Sequence, residues 1–344
     1  MNTHQNTINA FIALGQLFRD YSNHTNESNI YIEKLDNAIV NASSRNKWFT
    51  KENLDFCIHT WGNTLTESNV SAWLNAYPAQ HTTQRLGLVL AGNIPLVGLH
   101  DVLSGLASGY SIEIKSSSND NILLPFVIGF LIDTEPEWRN KIHFTDGKLG
   151  KFDRVIATGS TNTARYFKYY FKDVPHIVRK TRNGVAVLDG TETPEELIAL
   201  CVDIMQYFGL GCRSVSHLMV PEGYDFNELF LALYDYRELI YHNAYANNYD
   251  YNKAVYLMQE EELLDNGFIM LKKDMALNSP IACVHYSTYA NLKEAENSIR
   301  IQQENVQCVV SKCLKNVLDF GQTQHPKLSD YADHVDTMAF LLKK

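Results

Sequence analysis

Cys212 stands in Gly209-Leu210-Gly211-Cys212-Arg213-Ser214, between an apolar helical run and the strand-like Val215-Ser216-His217-Leu218-Met219-Val220. A thiol framed by glycines at a helix-to-strand turn can be approached by a substrate and by backbone N–H donors. A cysteine inside an apolar helix or strand cannot. Arg213 beside it favours the thiolate, the nucleophilic form. The plainer reading is a small residue packed at a tight turn, and a single cysteine is a weak motif by itself. Three further segments place polar groups at strand ends: Ala91-Gly92-Asn93-Ile94-Pro95-Leu96, Ile112-Glu113-Ile114-Lys115-Ser116-Ser117-Ser118 and Ala157-Thr158-Gly159-Ser160-Thr161. Open parallel sheets bind ligands outside the carboxyl ends of their strands. A serine that opens a helix, as Ser160 does, can cap it or sit beside a pyrophosphate, because unpaired N–H groups and the helix dipole favour an anion there.

The elements that must hold these residues read as α/β. Residues 1–75 are polar with apolar residues at helical spacing, which predicts an N-terminal helical layer. From Leu86 the pattern changes to short continuous apolar runs, as in strands buried on both faces. Strands at Leu86-Gly87-Leu88-Val89-Leu90-Ala91, Ser111-Ile112-Glu113-Ile114-Lys115, Lys141-Ile142-His143-Phe144 and Arg154-Val155-Ile156-Ala157 alternate with helices over 96–107, 123–132 and 161–171. That alternation predicts a doubly wound parallel sheet. A second α/β unit begins near Gly184, with strands at Val185-Ala186-Val187-Leu188, 215–220, 281–286 and 306–310 and helices over 197–208, 226–236, 253–264 and 292–303. Residues 243–252 read as a polar loop. The expected division is 1–182 with a returning C-terminal segment, 318–344, and a thiol-bearing domain over 183–317. A crevice between two apposed domains is the default place for a ligand.

The chain has 344 residues, 45% hydrophobic and 20% charged, with a net charge of −9. The length suits two domains. The negative balance argues against a nucleic-acid partner, whose binding rests on a basic face. The N-terminus Met1-Asn2-Thr3-His4-Gln5-Asn6 has no basic and apolar regions of a signal peptide. The longest apolar stretch, 123–132, falls short of the roughly 18–20 residues of a membrane span. Six scattered cysteines read as reduced thiols of a cytoplasmic protein. Cys308 and Cys313 have no nearby histidine or second cysteine pair, so no metal is expected.

The order of the four segments resembles the aldehyde dehydrogenase superfamily. Asn93 matches the asparagine of its Trp-Asn-x-Pro segment and Lys115 the lysine of Lys-Pro-Ser-Glu. Thr158-Gly159-Ser160 matches the Thr-Gly-Ser turn, and Cys212 the nucleophile. Gly92-Asn93-Ile94-Pro95, His100-Asp101-Val102-Leu103, the Cys212 segment and Asp330-Tyr331-Ala332-Asp333-His334-Val335-Asp336-Thr337-Met338 resemble one branch, the acyl-CoA reductases typified by the fatty-acyl reductase component of bacterial bioluminescence. The likeness runs from about Leu86 to the C-terminus. It implies an aldehyde-dehydrogenase-like α/β fold with a cofactor domain and a second α/β catalytic domain. It also implies NADPH- or NADH-dependent reduction of an acyl-CoA or acyl-protein thioester. Cys212 would be the nucleophile and Asn93 the oxyanion donor, with the Cys212 N–H as the second donor. Lys115, Ser117, Ser118, Gly159 and Ser160 would hold the cofactor. Candidate partners are an acyl-protein synthetase and further copies of the chain.

The departures sharpen the expectation. Aldehyde-oxidising relatives carry a general-base glutamate where this chain has Arg179-Lys180-Thr181-Arg182-Asn183-Gly184. Without that base nothing activates water against an acyl-enzyme, which favours thioester reduction. The glutamate of the Glu-Ile-Phe-Gly-Pro segment is replaced in Ala276-Leu277-Asn278-Ser279-Pro280, and Ala164 stands where a second glycine is usual. Ser118 stands where NAD-preferring relatives have a glutamate, which favours NADPH. Two other readings stay open: acyl transfer through Cys212 without redox chemistry, and a non-catalytic subunit. His100-Asp101 and the tyrosine-rich 234–256 stretch read as structural, and 330–337 as a clasp.

Overall fold

In the computed structural model, which describes residues 3–26, 28–79 and 82–343, the first element is a layer of four helices: α1 (Thr3–Ser22), α2 (Ile30–Arg45), α3 (Lys51–Thr64) and α4 (Glu67–Asn75). Side-chain oxygens of Asn29, Thr50 and Thr66 accept N–H groups of the first turns of α2, α3 and α4, which is why each helix starts where it does. Then follow β1 (Arg85–Val89), α5 (Leu99–Ala107), β2 (Ser111–Lys115), α6 (Leu123–Thr134), β3 (Ile142–Phe144), β4 (Arg154–Thr158), α7 (Thr161–Tyr170) and β5 (His176–Arg179).

These five strands form one parallel sheet in the order β3-β2-β1-β4-β5. The chain winds outward from β1 through β2 to β3, then resumes on the other side of β1 with β4 and β5, so the strand order reverses between β1 and β4. Leu86 and Leu88 are fully buried, and Leu86 packs with Gly105 of α5 and Ile112 on one face. Val89, Val155 and Ala157 meet Leu149, Phe152, Phe167 and Phe171 on the other.

The second group is β6 (Asn183–Val187), α8 (Pro194–Met205), β7 (Val215–Pro221), α9 (Asn227–Leu233), α10 (Asn243–Met258), β8 (Leu263–Asp265), β9 (Met270–Lys273), β10 (Cys283–Tyr289), α11 (Leu292–Ile301) and β11 (Val306–Val310). Its sheet runs β11-β6-β7-β10-β9-β8 and is parallel except for β8, which pairs antiparallel with β9. Thr193, Pro194 and Glu196 open α8 with a reciprocal capping box. A last helix, α12 (Thr337–Leu342), follows.

Residues 1–180 with 326–344 form one compact unit and residues 181–325 another. The C-terminal stretch is fastened within the first unit. Tyr331 Oη accepts the Trp73 indole N–H at 2.7 Å, and Tyr77 Oη donates to Asp336 at 2.8 Å. Arg154 places its guanidinium on the Phe340 and Lys343 carbonyls at the end of α12, where a cation suits the helix dipole.

Several expectations need correction. Residues 243–252 are no loop: they are most of α10, whose N-terminus the His242 ring caps at Tyr245 N–H, 3.3 Å, while Tyr245 and Tyr249 bury one face. The helix expected over 253–264 ends at Met258, and Leu263–Asp265 is a strand. The helix expected over 197–208 stops at Met205, because Tyr207 and Phe208 turn left-handed. The helix expected from residue 96 begins at Leu99, after left-handed Leu96. β5 and β9 were not expected as strands.

Candidate functional site

Six of the seven candidate residues gather at the carboxyl edge of the first sheet. Asn93 follows β1, Lys115 ends β2 with Ser117 and Ser118 just beyond, and Gly159 and Ser160 follow β4. The strand order reverses between β1 and β4 at this edge, and such a switch point is the general binding place of doubly wound sheets. Asn93 and Ser118 are exposed, Lys115 and Ser117 half-buried.

Close backbone approach builds this edge. A Cβ on Gly92 would come within 2.8 Å of the Ser117 side chain and 3.1 Å of Asp120 N, so the Asn93 turn and the Ser117 turn touch because residue 92 has no side chain. Asp120 joins them. Its Oδ2 accepts the Leu96 N–H at 3.0 Å, and its Oδ1 is buried without a partner. Burial raises this carboxyl to about 6, against the backbone donors Leu96 and Leu124, which pull it down. Lys115 Nζ donates to the Gly147 carbonyl at 2.9 Å. Ser160 is the N-cap of α7, accepting the Thr163 N–H at 3.3 Å, so its capping role is real, and its exposed hydroxyl stays at the surface of the turn.

Cys212 belongs to the second unit and lies at the amino edge of β7, not at a carboxyl edge. Tyr207, Phe208 and Gly209 have φ of 56°, 58° and 73°. Two non-glycine residues in the left-handed region cost energy and must be held by packing. Both are buried, and Phe208 lies against His242 and Tyr245, ring centroids 4.8 and 6.0 Å away. This turn ends α8 and lifts Cys212 out: of the six cysteines only Cys212 is exposed. Burial drives the thiols of Cys201, Cys283 and Cys308 up to about 12 and raises that of Cys313, so they are poor nucleophiles.

Beneath the turn lies a buried polar brace that the sequence did not reveal. Asp203, fully buried in α8, accepts Thr323 Oγ1–H at 2.7 Å, Thr323 N–H at 2.9 Å and Gly321 N–H at 2.6 Å. Gln324 donates to Ser214 Oγ at 3.3 Å. A Cβ on Gly184 would fall 2.6 Å from the Arg213 carbonyl and 2.7 Å from that of Ser214, so residues 213–214 lie where a side chain on β6 would be.

The stretch in place of the family's glutamate has structural partners. Arg179 is buried in an ion pair with Asp101 at 2.8 Å and donates to Thr337 Oγ1 at 2.9 Å. Arg182 donates to the Val306 carbonyl at 3.2 Å. His100 binds the Leu328 carbonyl at 2.9 Å. The Ala276 carbonyl takes Nδ1–H of both His217 and His285, at 3.1 and 2.9 Å, and burial lowers both histidines, His217 to about 4.

No protein-family model matches the sequence, and no curated protein matches it in sequence. Among solved structures, the chain is similar to an indole-3-acetaldehyde dehydrogenase mutant of P. syringae solved with NAD+ and IAA (11% identity, 90% of this chain, 72% of that one, TM-score 0.65). It is similar to an NAD-dependent benzaldehyde dehydrogenase from Corynebacterium glutamicum (10%, 90% and 76%, 0.63) and to an aldehyde dehydrogenase from Bacillus cereus in complex with NAD+ (13%, 90% and 72%, 0.61). The fold is therefore that of the aldehyde dehydrogenases, with a parallel sheet in one unit and a mixed sheet in the other.

Proposed function

We propose that this chain reduces an acyl thioester to the aldehyde with a nicotinamide cofactor, through an acyl group carried on Cys212. The observation that carries the reading is one exposed thiol raised on a strained turn, in a chain whose 179–184 stretch has no carboxylate. An acyl group on Cys212 then meets no base in that stretch that could direct water at it.

The carboxyl edge of the first sheet suits a dinucleotide. Gly92 lets the Ser117–Asp120 turn approach closely, Gly159 lets Thr163 and Phe167 close on its turn, and Ser118 and Ser160 are exposed. Lys115 would hold ribose hydroxyls, Ser117 and Ser118 a 2′-phosphate, and Gly159 and Ser160 the pyrophosphate at the start of α7. The nicotinamide, when bound, supplies a hydride.

In this reading Cys212 Sγ attacks the thioester carbonyl, the bond to the carrier sulfur breaks, and the carrier thiol leaves with a proton. Asn93 donates its amide N–H to the carbonyl oxygen as negative charge develops there. Once the acyl carbon has accepted hydride, the C–S bond to Cys212 breaks and the aldehyde departs, returning the thiolate. NADPH is the favoured reductant, and the acyl donor is an acyl-CoA or an acylated carrier protein, with an acyl-protein synthetase as candidate partner. Among the described residues no helix is long and apolar enough to cross a membrane.

Acyl transfer without reduction is the second reading, and Ala276 favours it. Where relatives present a glutamate to the ribose, this segment turns its carbonyl to two buried histidines. Incubation with acyl-CoAs and NADPH or NADH separates the two. Reduction consumes one reduced nicotinamide per thiol released. Thiol release with no fall in absorbance means transfer, and neither signal sinks both readings.

A further inference from the structure

We infer that Cys308 is a resolving thiol for Cys212: a hydroperoxide converts the pair to a reversible disulfide that shields the exposed thiol from irreversible oxidation. The inference concerns the site of the proposed reduction and rests on that reading only for its effect on turnover. The cross-link itself is read without any activity.

The argument starts at Gly184. β11, β6 and β7 pair side by side, with Cys308 opposite Gly184 and Gly184 opposite Val215. A side chain at residue 184 would separate Cys308 from the turn that precedes β7. Glycine leaves that space open, and the turn drops into it: Gly184 N–H donates to the Ser214 carbonyl at 3.0 Å. Cys308 Sγ then reaches across and donates to the Arg213 carbonyl at 3.4 Å. The residue it touches is the immediate neighbour of Cys212, and Gly209 and Gly211 give the turn freedom to bring Cys212 Sγ the rest of the way.

The other cysteines are committed elsewhere. Cys201 is buried within α8, and Cys283 within β10. Cys313 Sγ bonds with Ser311 Oγ at 3.1 Å, and Cys57 Sγ donates to the Pro95 carbonyl in the first unit. Burial is the main cause that holds the Cys308 thiol high, with the neighbouring Arg213 pulling it down.

The chemistry balances. The Cys212 thiolate attacks the hydroperoxide, the O–O bond breaks, Sγ gains an oxygen and the alcohol (or water) leaves. Cys212 is thereby oxidised by two electrons to the sulfenic acid. Cys308 sulfur attacks Cys212 Sγ, an S–S bond forms, the S–O bond breaks, and the departing hydroxide leaves as water with the Cys308 proton. A dithiol restores both thiols by exchange.

The test treats the whole chain with hydrogen peroxide, alkylates it, and digests it with trypsin without reduction. The peptide spanning 183–213 carries Cys201 and Cys212, and the peptide spanning 301–312 carries Cys308. Fragmentation of the cross-linked pair assigns the bond. The expected result is a Cys212–Cys308 link, reversed by dithiothreitol, with recovery of Cys212 alkylation. In Cys308→Ser the link is absent, and the same exposure drives Cys212 to sulfinic acid that dithiothreitol does not reverse. A wild-type link from Cys212 to any other cysteine, direct passage of Cys212 to sulfinic acid, or equal protection in Cys308→Ser overturns the inference. Wild-type mapping decides the matter even if the variant folds poorly.

Discussion

The loop after β1 carries Asn93 at the carboxyl edge of its sheet, whereas the turn before β7 carries Cys212 at the amino edge of the other. The Asn93 loop is pinned by contact: Gly92 lies on Ser117, and one buried carboxylate, Asp120, reaches up to Leu96. The Cys212 turn is pinned from below, by Asp203, Ser214 and the gap at Gly184, while its own backbone is left-handed at Tyr207 and Phe208. The Asn93 edge has one left-handed non-glycine residue, Leu96, and under it a buried carboxyl with one oxygen unpaired. The Cys212 edge has two, Tyr207 and Phe208, and under it a buried carboxyl that burial also raises, though Thr323 and Gly321 donate to it. Both edges cost stability to hold a polar group in position, and they differ in how fully the buried carboxyl is hydrogen-bonded.

Cys212→Ser breaks the comparison outright: turnover is abolished while folding and cofactor affinity stay near wild type. Acyl-labelling with peptide mapping checks it, and label on another cysteine would refute it. Asn93→Ala lowers kcat by about 10²–10³, the usual loss for one oxyanion donor, with little change in acyl-CoA affinity. Steady-state kinetics over a range of acyl-CoA concentrations reads both.

Asp120→Asn sharpens the contrast through pH. Its carboxyl rises from 3.8 to about 6 in the folded chain, so the folded state binds the proton more tightly than the unfolded one. Wild-type stability therefore increases as pH falls from about 6 towards 4, and the penalty is complete above 6. The asparagine removes that slope and stabilises the neutral-pH protein by up to about 3 kcal/mol. Thermal melts at several pH values decide it; a slope that survives in the variant rules Asp120 out as its source. Gly184→Ala puts a Cβ 2.6 Å from the Arg213 carbonyl, so we expect a loss of about 1–3 kcal/mol and a changed rate of Cys212 alkylation. Unchanged alkylation would mean the turn does not depend on that gap. The smallest effect is Ser118→Glu, expected to move the NADPH-to-NADH efficiency ratio about tenfold towards NADH, roughly 1.4 kcal/mol. A ratio that stays put removes Ser118 from the cofactor reading.

The first sheet was legible because its central strands are unbroken apolar runs, Leu86-Gly87-Leu88-Val89 above all, and because short α/β connections leave few topologies. β9 was not, since Lys272 hides it: the lysine is buried only by virtue of Asp274 and Glu261, at 2.7 and 3.3 Å, and such tertiary partners leave no local mark. α10 was misread because asparagine is a weak helix former and the burial of Tyr245 and Tyr249 overrides it. The residue types of the candidate site could be picked from the sequence. The supports could not: the Asp120 bridge, the Asp203–Thr323 brace over a separation of 120 residues, and the left-handed Tyr207 and Phe208 all depend on long-range packing.

The unit that holds the Asn93 edge is interrupted. Thr181 to His325, 145 residues, separates its main part from the segment that supplies Tyr331, Asp336 and α12. At a synthesis rate of about 5–20 residues per second, that interval lasts roughly 7–30 s. During it Trp73, Tyr77 and Arg154 wait on the ribosome without the groups they bind in the finished chain, while the whole of the thiol-bearing unit emerges and can close on itself. The order of birth therefore runs against the order of the sequence: the unit that starts first is finished last.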